Sequence, residues 1–259
     1  MNNSKPVASA FANGKALVAY LMAGDPTLAQ SGELILAAQA AGADLIEIGI
    51  PFSDPIAEGP VIQQASVRAL AAGATLEGIF AMVESIQPQV TVPLAFMTYL
   101  NPVFVYGYDR FFTCCNGCGV SALIIPDLPF EEQQEVKQAA KPYGVDIVSR
   151  IAPTSRQRIA DIAKQAEGFV YRVSSMGVTG VRGEITTDIG SMVRDIRAVT
   201  DIPVAVGFGI STPQQAGKYA ALSDGGIVGS ALVRLIAEHG TQAKEPLMEL
   251  ISALKQGVL

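Results

Sequence analysis

Short apolar runs alternate with longer segments that are apolar on one side only, from one end of the chain to the other. The short runs are Ala16–Met22, Asp44–Ile50, Pro93–Tyr99, Ala122–Pro126, Asp146–Ile151, Gly168–Val173, Ile202–Gly207 and Gly226–Gly229. Each is bounded by turn residues and predicts a buried strand. Helical spacing fills the intervals, at Leu28–Ala41, Pro60–Ala72, Leu76–Ile86, Glu131–Lys141, Arg156–Ala166, Ile189–Val199, Pro213–Ala221, Ala231–Glu238 and Glu245–Leu254. Thr212-Pro213 predicts a helix start with a Thr cap and Pro in the first turn, and Asp127 to Glu131, through Pro129, predicts another. No stretch reads as a linker or as low complexity. Eight strands alternating with helices in 259 residues predict one (β/α)8 TIM barrel domain over residues 1–259. The alternative is a doubly wound open sheet, which usually has fewer strands and a dinucleotide fingerprint. The nearest candidate, Gly207-Phe-Gly209-Ile-Ser-Thr212, lacks the third glycine and runs into Pro213.

Composition narrows the function classes. The chain is 49% hydrophobic with a mean hydropathy of +0.34, yet no apolar run approaches the roughly 20 residues of a membrane span. A large buried core accounts for the hydropathy. Lys15 followed by Ala16–Gly24 faintly mimics a signal peptide, but Tyr20 interrupts the run and Gly24-Asp25-Pro26 ends it in a turn. The run reads as a strand, and the expected compartment is the cytoplasm. The net charge of −6, with no large Lys/Arg cluster, argues against nucleic acid as a partner. Cys114, Cys115 and Cys118 lack the second cysteine pair or the histidines of a zinc site, since the chain has one His. A Cys-x-x-Cys redox pair is one reading of them; buried thiols in a reducing compartment is the preferred one.

The chemistry concentrates at one end of the predicted barrel. In the run from Asp44 to Ile50, alternation sets Ile46, Ile48 and Ile50 on one face and Leu45, Glu47 and Gly49 on the other. An acid beside a glycine leaves space for a ligand; the plainer reading is an acid paired with a Lys or Arg elsewhere. Asp54 and Glu58 follow in the next loop. Barrel active sites lie at the C-terminal ends of the strands, which places all three acids at the working face and the cysteines at the other. Glycine-rich segments follow the last three strands: Gly177, Gly180 and Gly183, then Gly207 and Gly209, then Gly229-Ser230 opening a helix. Backbone N–H groups there and a helix N-terminus suit a phosphate. Arg172 and Arg182 are the only basic residues nearby, so a backbone cradle is expected. The segment Met176–Asp188 reads as a lid or as an ordinary surface loop. Apolar surroundings should hold a proton on Glu47 for general acid catalysis, while Glu58, in a polar loop, should stay ionised and either bind or deprotonate an N–H or O–H. Met97 and Ile151 near the strand ends favour an aromatic substrate, though core packing explains them almost as well. His239 sits near a helix end away from this face. The residues alone suggest acid–base chemistry without a cofactor or metal, such as aldol-type cleavage or isomerisation.

The motifs Tyr20 to Pro26, Glu47-Ile-Gly-Ile-Pro-Phe-Ser-Asp-Pro55 with Gly59-Pro60, Tyr99-Leu-Asn101, Pro126-Asp127-Leu-Pro129, Gly177-Val-Thr-Gly180, Gly207-Phe-Gly209-Ile and Val228-Gly229-Ser230 go further. Together the chain resembles the tryptophan synthase α subunit family over essentially its whole length. The resemblance implies a lyase of tryptophan biosynthesis that cleaves indole-3-glycerol phosphate to indole and glyceraldehyde 3-phosphate without a cofactor. It implies a PLP-bearing β subunit as partner in an αββα complex, with the lid and the loop Pro51–Pro60 signalling to it. It further implies that Glu47 protonates the ring carbon bearing the glycerol chain and that Glu58 binds the indole N–H. Gly180, Gly209, Gly229 and Ser230 then hold the phosphate, Tyr20, Tyr171 and Phe208 lie near the substrate, and Thr179 supports the acids. One residue departs from the family pattern: Glu58 stands where the family usually has Asp. Three consequences are open: a reshaped loop, a subunit dependent on its partner, or a regulatory copy without catalysis. A reshaped loop is the favoured expectation.

Overall fold

The structure, a computed structural model, describes residues 4–153, 156–173, 189–207 and 209–258. Its strands are β1 (Ala16–Met22), β2 (Leu45–Gly49), β3 (Leu94–Met97), β4 (Val120–Ile124), β5 (Asp146–Ile147), β6 (Ser149–Ile151), β7 (Val170–Val173), β8 (Val204–Gly207) and β9 (Gly225–Val228). All pair in parallel, in the order β5-β4-β3-β2-β1-β9-β8-β7-β6. The two ends of that order are consecutive in the chain. Only Val148 separates β5 from β6, and its N–H still donates to the Leu123 carbonyl at 3.0 Å. The run Asp146–Ile151 is therefore one stave that pairs with β4 along its first half and with β7 along its second. Eight staves close, and the chain is a (β/α)8 TIM barrel.

Period-two alternation sorts the staves' side chains. Val18, Leu45, Ala95, Ala122, Val148, Phe169, Tyr171 and Ala205 fill the interior, where small alanines leave room for the aromatic rings. Leu17, Ile46, Ile48, Phe96, Leu123 and Val206 face the helices in a second, larger core. Before β1, the short 3-10 helix Val7–Phe11 caps the interior at the N-terminal ends of the strands, with Val7 fully buried and Phe11 5.6 Å from Phe169 between ring centroids. The mouth is left at the C-terminal ends.

Several elements differ in detail from the sequence expectation. Residues 100–118 form two helices, Leu100–Tyr106 and Tyr108–Cys118, broken at Gly107, whose φ of +90° suits only glycine. Glu131–Lys141 is a helix only over Gln133–Ala140, flanked by 3-10 turns. Thr212 caps its helix as expected, accepting from the Gln215 N–H at 3.3 Å. Asp127 caps nothing at Glu131: its carboxylate instead accepts from the Leu100 N–H at 2.9 Å, which serves the helix after β3. Cys115 and Cys118 are buried in the outer core and Cys114 is half-buried. Ala16–Met22, the signal-like run, is β1 and is buried along its whole length. Among the described residues no single helix is long and apolar enough to cross a membrane; one bent pair passes by length and composition only.

Candidate active site

Glu47 sits in the middle of β2, fully buried, opposite Tyr20 of β1 and Ala95 of β3 in register. Among the described residues neither carboxyl oxygen has a hydrogen-bond partner. Burial therefore dominates its titration and pushes it up to about 8. Arg150 pulls the other way and Glu58 adds to the rise. At neutral pH this is a protonated acid in the barrel interior. The glycine two residues on makes room for the neighbouring ring: a Cβ on Gly49 would fall 2.1 Å from the Tyr20 hydroxyl. Gly49 is thus the slot into which the Tyr20 ring lies, beside Glu47.

Glu58 ends the loop after β2, immediately before Gly59 and the helix Pro60–Ala71, which has Pro in its first turn. The loop is tied down at three points. The Phe52 N–H donates to the Ser66 hydroxyl at 2.9 Å, the Gln63 side chain donates to the Glu58 carbonyl at 2.9 Å, and the Phe52 ring leans on Tyr99 at 5.2 Å. Tyr99 then reaches the acid itself. Its hydroxyl donates to Glu58 Oε2 and accepts from the Ala57 N–H at 2.8 Å. Glu58 is more buried than a polar loop implies, at 8% exposure. Burial raises its pKa, against the Tyr99 hydrogen bond and the Arg150 charge, which both lower it. Asp127, holding the Leu100 N–H, fixes the turn from which Tyr99 projects.

Arg150 comes from β6, where it registers against Tyr171 of β7, so both side chains enter the interior on neighbouring staves. Its Nη1 donates to the Pro126 carbonyl at 2.6 Å. Tyr171 is buried, and its hydroxyl is held neutral, first by burial and then by the Glu47 charge. Burial, Glu58 and Glu47 do the same to Tyr20. Glu47, Glu58, Tyr20 and Tyr171 thus share one electrostatic environment, together with Tyr99 and Arg150, to which sequence reasoning gave no role. Tyr99 lay inside a recognised motif without an assigned part. Arg150 had a legible signal, since alternation with Val148 turns a cation inward. Ile151, expected near the substrate, belongs to the outer core against the helices. Met97 is half-buried and touches the interior groups.

The other side of the mouth is glycine backbone. Gly209 has φ +63°, a conformation that ordinary side chains rarely adopt. Gly229 and Ser230 begin the ten-residue helix Ser230–His239, with no side chain capping its N-terminus. A Cβ on Gly229 would touch Tyr20 Cβ at 3.5 Å, so Tyr20 stands between the acids and this helix start. Arg172 is fully buried on the helix side of β7, where it donates to Met192 Sδ at 3.0 Å. Thr179, Gly180, Phe208, Arg182 and the expected lid Met176–Asp188 lie outside the described residues. Among the described residues no group of three or more His, Cys, Asp or Glu side chains is placed to hold a metal ion.

The family model for the tryptophan synthase alpha chain matches residues 8–258. The tryptophan synthase alpha chain of Lacticaseibacillus casei is 44% identical over 252 residues, covering 97% of this chain and 95% of the relative. That of Citrifermentans bemidjiense is 47% identical over 247 residues, covering 95% and 92%. Among solved structures, that of Mycobacterium tuberculosis tryptophan synthase superposes with a TM-score of 0.89 at 36% identity, covering 99% of both chains. The alpha subunit from Legionella pneumophila gives 0.87 at 32% identity, covering 100% of this chain and 98% of that one.

Proposed function

The chain belongs to the tryptophan synthase alpha chain family, and on that premise we propose how its own residues carry the reaction. It is a carbon–carbon lyase that cleaves indole-3-glycerol phosphate to indole and glyceraldehyde 3-phosphate, and its partner is the PLP-dependent β subunit. In the proposed scheme Glu47 gives its proton to the ring carbon that bears the glycerol chain. The positive charge so formed spreads onto the ring N–H, where ionised Glu58 accepts a hydrogen bond. The proton of the adjacent glycerol hydroxyl then leaves, the carbon–carbon bond breaks, its electron pair returns to the ring, and the hydroxyl carbon becomes the aldehyde. Glu47, now a carboxylate, takes that proton and is regenerated.

A single observation carries this reading: Glu47 is a fully buried carboxyl on the interior face of β2, with no hydrogen-bond partner among the described residues and kept protonated at neutral pH. Such a group is a proton donor in waiting. Gly209, Gly229 and Ser230 are the proposed phosphate cradle, supported by the positive φ of Gly209 and the uncapped helix start. Gly180 as a further phosphate ligand, Phe208 near the ring and Thr179 supporting the acids are carried by the family resemblance. Tyr20 and Tyr171 line the space between the two ends. Residues 1–259 are taken as one domain, in keeping with a single sheet, and the cytoplasm is the proposed compartment.

The test is indole release by wild type, Glu47→Gln and Glu58→Asp, with and without β subunit. Wild type is expected to be active and Glu47→Gln to lose at least about a hundredfold in kcat. Wild type without activity even with β present would make the chain a regulatory barrel instead.

A further inference from the structure

Arg150 is a cation set into the interior of a barrel whose other titratable mouth groups, among the described residues, are acids and phenols. The titratable groups of the mouth come from several elements, Tyr20 on β1, Glu47 on β2, Glu58 in the following loop, Tyr99 after β3, Asp127 after β4 and Tyr171 on β7; of these Tyr171 registers directly beside Arg150, and Glu47, Glu58 and Tyr171 feel its charge. β6 lies three staves round from β2, so Arg150 faces Glu47 across the mouth and does not touch it. Its head is tethered by the Nη1 bond to Pro126, while Nε is buried without a partner among the described residues. A residue needed only to satisfy one half-buried carbonyl has no reason to bring a charge into this site, where leaving water is costly.

We infer that Arg150 is a positioning residue of the acid pair, its tethered guanidinium supplying across the mouth the positive charge that balances ionised Glu58. The inference rests on the reading of Glu47 and Glu58 as that pair. It explains how a buried Glu58 remains an acceptor beside a second carboxyl. Arg150 opposes the burial-driven rise of both acids, and it has the same effect on Tyr171. Without it both carboxyls titrate higher. The acid limb of the rate profile, where Glu58 ionises, and the alkaline limb, where Glu47 loses its proton, then move upward together. A merely structural role lowers the height of the profile and moves neither limb.

The experiment compares wild type, Arg150→Met and Arg150→Lys in the complex with β. The readouts are the pH profile of kcat/KM for indole release and the 13C carboxyl titrations of Glu-labelled protein, assigned with Glu47→Gln and Glu58→Gln. Arg150→Met is expected to shift both limbs and both carboxyl titrations upward by about 0.5 to 1 pH unit, a loss of roughly three- to tenfold on the acid side. Arg150→Lys is expected to keep most of the wild-type position. If Arg150→Met does not fold, Arg150→Gln, which keeps a donor for Pro126, takes its place. Unshifted limbs and titrations in the charge-free variant overturn the inference. Undiminished turnover by Glu47→Gln overturns the acid-pair reading instead, so the two failures are distinguishable.

Discussion

Glu47 combines two properties that a surface carboxyl never has together: no hydrogen-bond partner among the described residues and no solvent exposure. Its pKa of about 8 against an ordinary 4.5 means the folded chain binds a proton that the unfolded chain releases. The sign follows from linkage. Below pH 4.5 both states are protonated and this group is neutral towards stability; as pH rises from there to about 8 the unfolded state ionises first, and stability is lost. The loss approaches about 1.4 kcal/mol per unit at most. Urea midpoints between pH 5 and 8 should therefore fall more steeply for wild type than for Glu47→Gln, and parallel curves would refute the burial account. Tyr99 acts on the second acid. Tyr99→Phe keeps the ring against Phe52 but removes the donor to Glu58 and the acceptor for Ala57 N–H. Folding should weaken by about 1–2 kcal/mol and kcat/KM by roughly tenfold or more. Glu58→Asp should also be slower than wild type, because the shorter acid cannot meet Tyr99 from this loop.

Elements, more than single residues, decided what could be read in advance. Alternation in 44–50 placed Glu47 inward because every residue of β2 is buried and the apolar face has only one place to go. The glycine-rich strand ends were legible for the same local reason, since Gly209 needs its backbone conformation whatever surrounds it. Tyr99 and Arg150 were not assigned, because their roles are made by tertiary contacts. Tyr99 meets a carboxylate 41 residues away, and Arg150 matters only once its stave closes the barrel. The helix Pro60–Ala71 shows the same dependence. Arg68 in its last turn grips Asp25, just past β1, through Nε–Oδ1 at 2.9 Å and Nη2–Oδ2 at 2.7 Å. Asp25 is 2% exposed and Arg68 37%. Removing the arginine strands a buried anion, whereas removing the acid leaves a cation that water can reach. Arg68→Met should thus destabilise by about 2–4 kcal/mol and by more than Asp25→Asn. Thermal melts would show it, and equal losses would contradict the asymmetry. Because Glu58 sits at the other end of this helix, Arg68→Met should also lower kcat.

At the scale of the molecule, the barrel's two ends differ: the N-terminal plug of Val7 and Phe11 belongs to the core, and the other end holds the proposed acid pair and a rim of loops. Ile56, Phe104 and Val105 are 74%, 64% and 75% exposed, on the loop after β2 and the helix after β3. Exposed apolar side chains on the segments that follow the neighbouring strands β2 and β3 suit a docking surface. The partner of this family gives that surface an occupant, the β subunit. Phe104→Asp with Val105→Asp should weaken the α–β association by about tenfold to a hundredfold, measured by titrating β into α and following the gain in activity. The pair is a cleaner probe than Ile56, which lies two residues from Glu58. Phe104 and Val105 follow Tyr99 by five and six residues, so the rate without β is the control. If that rate is unchanged and saturating β restores full activity, the rim binds the partner and does nothing else. If the rate without β falls, the helix Leu100–Tyr106 has moved Tyr99, and the rim is part of the device that sets Glu58. An unchanged affinity would place the β subunit elsewhere on the barrel.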